Sequence, residues 1–144
     1  MKDILRDWSN IKQGLKSKVI FLFLDFDGTL APIADTPQQA SMPQESRRLL
    51  YELSKKEGIK LAIISGRSLR DVKNMVALDG LIYSGNHGLE IEGPKIKYAN
   101  PVFFKYRKLF REIYRDLKNK LSGIKGVLIE DKGLTLSVHY RLVE

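Results

Sequence analysis

Two periods of apolar residues alternate along this chain: short continuous runs that suit buried strands, and three-to-four spacings that suit helices. Val19 to Leu24 is a run of six apolar residues, several β-branched or aromatic, and predicts a buried parallel strand over 19–25. Ile59 to Ile64 predicts a second buried strand, and Leu81-Ile82-Tyr83 a short third. The segments between them carry helix signals. Ser41 with Gln44 has the form of a capping box, and Pro43 suits a first turn. A helix is expected from there to about Glu57, with Leu49, Leu50 and Leu53 inward and Gly58 ending it. Ser68 and Asp71 mark another helix start, with Leu69, Val72, Met75 and Val76 on one face. Strand, helix, strand, helix, strand is the pattern of an α/β fold with a parallel sheet. Ahead of it, Ile4, Leu5, Trp8, Ile11 and Leu15 predict an amphipathic helix over 3–15 that packs on the domain or begins it. Ala31 to Met42 holds two of the five prolines and reads as a loop.

The pattern changes after residue 90. Ile91 to Tyr98 reads as a hairpin turning at Glu92-Gly93-Pro94-Lys95. Phe103, Tyr106, Leu109, Phe110, Ile113, Tyr114, Leu117 and Leu121 form a helical stripe, expected to be core. Val127 to Glu130 and Leu134 to Arg141 read as two strands about an Asp131-Lys132-Gly133 turn. In the last strand Leu134, Leu136 and Val138 share one face, and Thr135, Ser137, His139 and Arg141 the other.

Composition narrows the function classes. At 144 residues, 43% hydrophobic and 29% charged, the chain suits one domain with a real core. No apolar run approaches a membrane span and the start has no signal-peptide h-region, so a cytoplasmic location and no membrane partner are expected. The absence of Cys excludes disulfides and thiolate metal sites. A net charge of +8 invites a nucleic-acid reading. The densest basic cluster lies on the aromatic helix, however, and no nucleic-acid-binding signature is present, so a solvated helix face is favoured. A basic balance also suits an anionic phosphate substrate.

The chemistry concentrates where the first strand ends, at Asp25-Phe26-Asp27-Gly28-Thr29. In open α/β sheets, ligands sit beyond the carboxyl ends of the strands. A calcium loop opening at Asp25 would need Gly at Leu30 and Glu at Thr36, and has neither. An ordinary turn accounts for Asp27 and Gly28 but not for Asp25. The D-x-D-G-T pattern resembles the first motif of the haloacid dehalogenase superfamily of phosphatases. That resemblance implies Asp25 as nucleophile and Asp27 as acid/base. Two acids facing a phosphate repel it, so a divalent ion is needed, and oxygen donors favour Mg²⁺. By the same resemblance, Asp25 and the Asp27 carbonyl would be its ligands. Thr29 and Ser65 are the expected phosphate hydroxyls, Ser65 standing at the end of the next strand.

Four stretches narrow the resemblance: D-G-T-L-A-P-I, I-I-S-G-R, S-G-N-H-G-L-E and E-D-K-G-L-T-L-S-V-H-Y-R. In order and spacing they resemble trehalose-6-phosphate phosphatases, from about Val19 to Arg141. This implies a haloacid-dehalogenase-like core, partial, over 18–99 after an N-terminal helix at 1–17, and part of an α+β cap over 100–144. It implies substrate contacts from Ser65, Gly66 and Arg67, from Asn86, His87 and Glu90 at the core, and from Glu130, Lys132 and Arg141 in the cap. The expected reaction is hydrolysis of trehalose 6-phosphate through an aspartyl-phosphate. Another sugar-phosphate phosphatase, acting on sucrose phosphate or mannosylglycerate phosphate, is the nearest rival. A non-catalytic remnant that binds a partner or phosphosugar comes from a different class. The superfamily's later Lys and second acidic motif would follow the cap, and only Leu142, Val143 and Glu144 come after Arg141. The expectation is therefore the front half of a phosphatase, cut inside the cap and inactive alone. Its first strand would be an exposed apolar edge that invites self-association.

Overall fold

The structure is a computed structural model that describes residues 6–15 and 18–144, without the side chain of Phe103. Three parallel strands form the first part of one sheet: β1 (Ile20–Asp25), β2 (Ile59–Ile64) and β3 (Ile82–Gly85). An antiparallel hairpin, β4 (Glu90–Gly93) and β5 (Ile96–Ala99), continues it in the order β1-β2-β3-β4-β5. The crossovers carry α2 (Gln44–Ser54) and α3 (Leu69–Val76). Successive strands step the same way across the sheet, so right-handed crossovers put both helices on one face.

That face is the core. Leu22 and Leu24 pair in register with Leu61 and Ile63, and Tyr83 follows on β3. They pack with Leu50 of α2 and with Val72 and Val76 of α3. Arg47 fastens the two helices together. Its guanidinium donates to the Val76 and Met75 carbonyls at 2.8 and 3.0 Å, using the acceptors left free at the end of α3. Ser68 caps α3 as expected, its hydroxyl accepting from the Asp71 N–H at 3.1 Å.

Several expectations need correction. The run 19–25 predicted burial on both sides, yet β1 alternates, with Phe21 52% and Phe23 64% exposed. The described residues cover only one face of the sheet, and β1 is its edge. The Ser41–Gln44 capping box does not form: Pro43 holds the N-cap of α2 without a side-chain bond. The Thr36 N–H instead donates to the Gln39 side-chain oxygen at 3.3 Å, across a 3₁₀ turn over Pro37–Gln39. The α2 helix stops at Ser54, short of Glu57, and Leu49 faces outward while Leu50 is buried. In the N-terminal helix, α1 (Trp8–Leu15) contains no buried residue, and Ile4 and Leu5 lie outside the described residues.

The C-terminal part is α4 (Val102–Leu121) and a separate antiparallel ribbon of β6 (Leu128–Asp131) and β7 (Leu136–His139). The expected core role of the aromatic stripe is not met. No described α4 side chain is fully buried, and Tyr106, Leu109 and Ile113 are exposed. A two-stranded ribbon is too narrow to cover a stripe that wide. No helix among the described residues is long and apolar enough to cross a membrane.

Candidate active site

Backbone register assembles the site. Asp25 pairs with Ile64 across β1 and β2, so Asp25 and Ser65 leave the sheet side by side at its carboxyl edge. Phe26 then turns inward and is fully buried, which leaves Asp25 and Asp27 on the outside on either side of it. The Phe26 carbonyl accepts N–H bonds from Thr29, Leu30 and Ala31, and Gly28 N–H closes the loop on the Ala31 carbonyl at 2.8 Å. Gly28 sits at φ +85°, a conformation that disfavours any side chain. Thr29 is exposed at the tip of this turn.

Arg67 holds the second acid. Its Nε and Nη2 donate to the two carboxylate oxygens of Asp27, both at 2.8 Å, in the bidentate fork that guanidinium geometry favours. Its Nη1 donates to Asp71 on α3 at 3.0 Å, and its guanidinium lies 5.5 Å from the Phe26 ring centre. Burial alone would lower the Arg67 pKa, but the hydrogen bonds and charges of Asp27 and Asp71 outweigh it and the net direction is upward. Arg67 thus carries a permanent positive charge into the junction between β1, β2 and α3. Ser65 is buried, and its hydroxyl accepts from the Arg67 N–H at 3.1 Å, leaving its own proton free to donate.

The 86–90 segment lies beside this loop. Asn86 N–H donates to the Arg67 carbonyl and His87 N–H to the Ser65 carbonyl. The His87 ring is exposed and lies against Gly66: a Cβ at Gly66 would come within 2.5 Å of its Cε1. A side chain at Gly66 would therefore require the exposed His87 ring to move aside. Asn86 is fully buried and Glu90 accepts from its amide at 2.7 Å.

The polar face of the β6–β7 ribbon turns toward the same loops. Lys132 Nζ donates to the Gly66 carbonyl at 3.0 Å and lies 3.9 Å from Glu130. Glu130 Oε2 is 2.8 Å from His139 Nε2. Arg141 donates to the Ala34 carbonyl at 2.8 Å. A cleft of about 490 Å³ opens between these parts, lined by Asp27, Arg67, the Ile33–Pro37 loop and residues 138–141. Its size suits a small polar ligand. Asp25 stands outside that lining, at the strand end.

The chain presents two hard oxygen donors for a cation at the strand end. Asp25 offers an exposed carboxylate, and the Asp27 carbonyl accepts no hydrogen bond among the described residues. No cluster of three or more His, Cys, Asp or Glu able to hold a metal occurs among the described residues. This donor set fits an ion that keeps waters and takes phosphate oxygens, as Mg²⁺ does, and not a closed all-protein cage.

A family model described as trehalose-phosphatase matches residues 23–144. The chain belongs to the trehalose-phosphatase family. Among curated relatives, a probable trehalose-phosphate phosphatase 3 of Oryza sativa subsp. japonica is 35% identical over 95% of this chain and 41% of its own length. A probable trehalose-phosphate phosphatase I of Arabidopsis thaliana is 34% identical over 97% of this chain and 40% of its own length. The crystal structure of a trehalose-6-phosphate phosphatase related protein superposes with a TM-score of 0.76 at 26% identity, over 87% of this chain and 53% of that one. The C-terminal domain of the C. albicans trehalose-6-phosphate phosphatase gives 0.74 at 26% identity, over 94% and 48%. This member of the trehalose-phosphatase family therefore spans about two fifths of the length of those curated relatives. The haloacid-dehalogenase-like α/β fold expected from the sequence is also that of a haloacid dehalogenase-like hydrolase from B. subtilis, which superposes over 76% of this chain and 36% of that one with a TM-score of 0.50 at 19% identity.

Sequence reasoning overlooked three contributors: Asp71, which shares Arg67 with Asp27; Thr135, which bonds Asn86; and His139, which bonds Glu130. The alternation of the last strand already put Thr135 and His139 on the same polar face as Arg141. Asp71 stands four residues after Arg67, at the helical spacing that lets the two side chains meet.

Proposed function

We propose that this chain carries the nucleophile half of a trehalose-6-phosphate phosphatase site, within a core at 18–99 and a cap segment at 100–144. The register of Asp25 beside Ile64 and Ser65 is the observation that carries the reading. It brings a carboxylate and a hydroxyl to one strand edge, which supports reading them as the nucleophile and a phosphate-binding group. In the reaction, an Asp25 oxygen bonds to phosphorus as the bond from phosphorus to the sugar oxygen breaks. Asp27 gives that leaving oxygen a proton, then takes one from the water that hydrolyses the aspartyl-phosphate. Both Asp27 oxygens accept from Arg67 here, so presenting a proton from Asp27 to the leaving oxygen requires loosening one arm of the fork. Thr29 and Ser65 donate to phosphoryl oxygens. Mg²⁺, when bound by the Asp25 carboxylate and the Asp27 carbonyl, supplies the charge that lets two acids approach a phosphate. The cleft beside Asp27 and Arg67 takes the sugar rings, with Glu130, Lys132 and Arg141 near it. The protein is read as cytoplasmic, with a sugar phosphate and no nucleic acid or membrane as its partner.

The test joins this chain to the C-terminal half of a family relative and measures phosphate release from trehalose 6-phosphate with Mg²⁺. The fused enzyme is expected to turn over, the 144-residue chain alone to stay at background, and Asp25→Asn in the fusion to abolish turnover. Retention of more than a few per cent of the rate in Asp25→Asn would put the nucleophile elsewhere. Tight phosphosugar binding by a fusion that never turns over would favour a non-catalytic remnant.

A further inference from the structure

Asn86 is spent on structure in an unusual way. It is fully buried, at φ +49°, and His87 follows at φ +57°. Consecutive non-glycine residues in the left-handed region are uncommon, and such strain persists only where surrounding bonds over-determine it. Those bonds are present. The Asn86 amide nitrogen donates to Glu90 at 2.7 Å and to the Lys132 carbonyl at 3.3 Å, and its side-chain oxygen accepts from the Thr135 hydroxyl at 2.7 Å. Both amide hydrogens are committed, and no surface of the side chain reaches solvent, so nothing is left to meet a substrate. Two of the three partners belong to the turn between β6 and β7, over forty residues away in sequence. Lys132 adds a third tie across the same junction, from its Nζ to the Gly66 carbonyl.

We propose that Asn86 is a positioning residue, a latch that fixes the β6–β7 turn, and with it Glu130 and Lys132, against the Ser65–Arg67 loop. The sequence implied a substrate contact for Asn86, and the latch replaces that role. The geometry explains the residue type. Asparagine tolerates the left-handed region better than most, and its amide offers donors and an acceptor at one end, which Asp, Leu or Ala cannot match. The consequence for sugar-phosphate selection rests on the proposed function; the latch itself is testable without any substrate.

The test is amide hydrogen exchange on the 144-residue chain. The Lys132 N–H is bonded to the Thr135 carbonyl at 2.9 Å and reports on the turn. Asn86→Gly removes the amide while keeping the left-handed backbone accessible. Thr135→Val is isosteric, sits at a half-buried position, and keeps the idea testable if the glycine variant does not fold. In both, exchange across 130–139 is expected to quicken at least tenfold while β1 and β2 keep their wild-type rates. Thr135→Ser, which retains the hydroxyl, is expected to behave as wild type. Unchanged exchange across 130–139, or equal acceleration in β1, β2 and the turn, would overturn the latch; the second outcome would mean simple loss of global stability. In the fused enzyme, Thr135→Val is then expected to raise KM for trehalose 6-phosphate several-fold and leave p-nitrophenyl phosphate turnover near wild type. A fusion without activity would count against the proposed function while the exchange result stood for the latch.

Discussion

Replacing Arg67 by Ala tests whether the guanidinium between Asp27 and Asp71 holds the loop together or merely sits there. The wild-type side chain donates three charge-assisted hydrogen bonds and lies over the Phe26 ring. Such bonds contribute about 1.5–3 kcal/mol each when fully buried. Arg67 is 7% exposed, but the Asp27 and Asp71 side chains are 42% and 40% exposed. Water therefore re-solvates both carboxylates once the cation is gone, and most of the gross sum is returned. Allowing for that, and adding the lost ring contact, the expected loss is about 2–4 kcal/mol. A double-mutant cycle with Asp27→Ala isolates the pair, and a coupling of at least about 1.5 kcal/mol is expected. Urea unfolding followed by far-ultraviolet circular dichroism reads it. The exposed pair Asp116–Lys120, with side chains 60% and 70% exposed, is the control: its coupling should vanish in about 0.5 M salt while the Arg67 coupling persists. A coupling under about 0.5 kcal/mol would refute the reasoning, because a fork of that geometry on a buried cation cannot be energetically neutral.

Gly85→Ala should cost about 3 kcal/mol or more, since its Cβ would meet the Leu69 backbone nitrogen at 2.3 Å, whereas Gly66→Ala should cost less than about 1 kcal/mol because the exposed His87 ring can swing away; equal thermal shifts would show that the contact argument fails. Glu92 is bonded to Lys73, whose hydrogen bond and charge lower its pKa from the ordinary 4.5. A lowered folded pKa stabilises above the unfolded value and is lost as pH falls through the folded one, so Glu92→Gln should be less stable than wild type near neutrality and the gap should close below pH 4.5. Urea midpoints of both proteins from pH 7 to about pH 3 check this, and a gap that widens on acidification would contradict it. The exposed edge strand β1, with Phe21 and Phe23 facing solvent, should make the chain self-associate with rising concentration; sedimentation of Phe21→Lys and Phe23→Lys should show weaker association, and identical profiles would exclude this face.

Much of this protein was legible in the chain because local rules and tertiary packing agree there. The strand at Ile59–Ile64, the capped start of α3 at Ser68, and the placement of Asp25, Asp27 and Ser65 at strand ends all follow from apolar runs punctuated by turn chemistry. The polar face of the last strand was also readable, because strand alternation has a period of two whatever the fold around it. What the sequence left open depended on which surfaces meet. An apolar run does not say how many of its faces are covered, so Phe21 and Phe23 read as buried although the structure leaves them bare. The α4 stripe read as core for the same reason, its partner being only a two-stranded ribbon. The local cap signal at Ser41 and Gln44 is not used, because the path of the chain into α2 puts Pro43 at the N-cap. The fork from Arg67 to Asp27 and the burial of Asn86 under the β6–β7 turn join residues up to 49 positions apart. Spacing carries no information at that range. Those contacts exist because packing two segments together leaves buried polar groups that must find partners, and only the folded chain shows which partners are within reach.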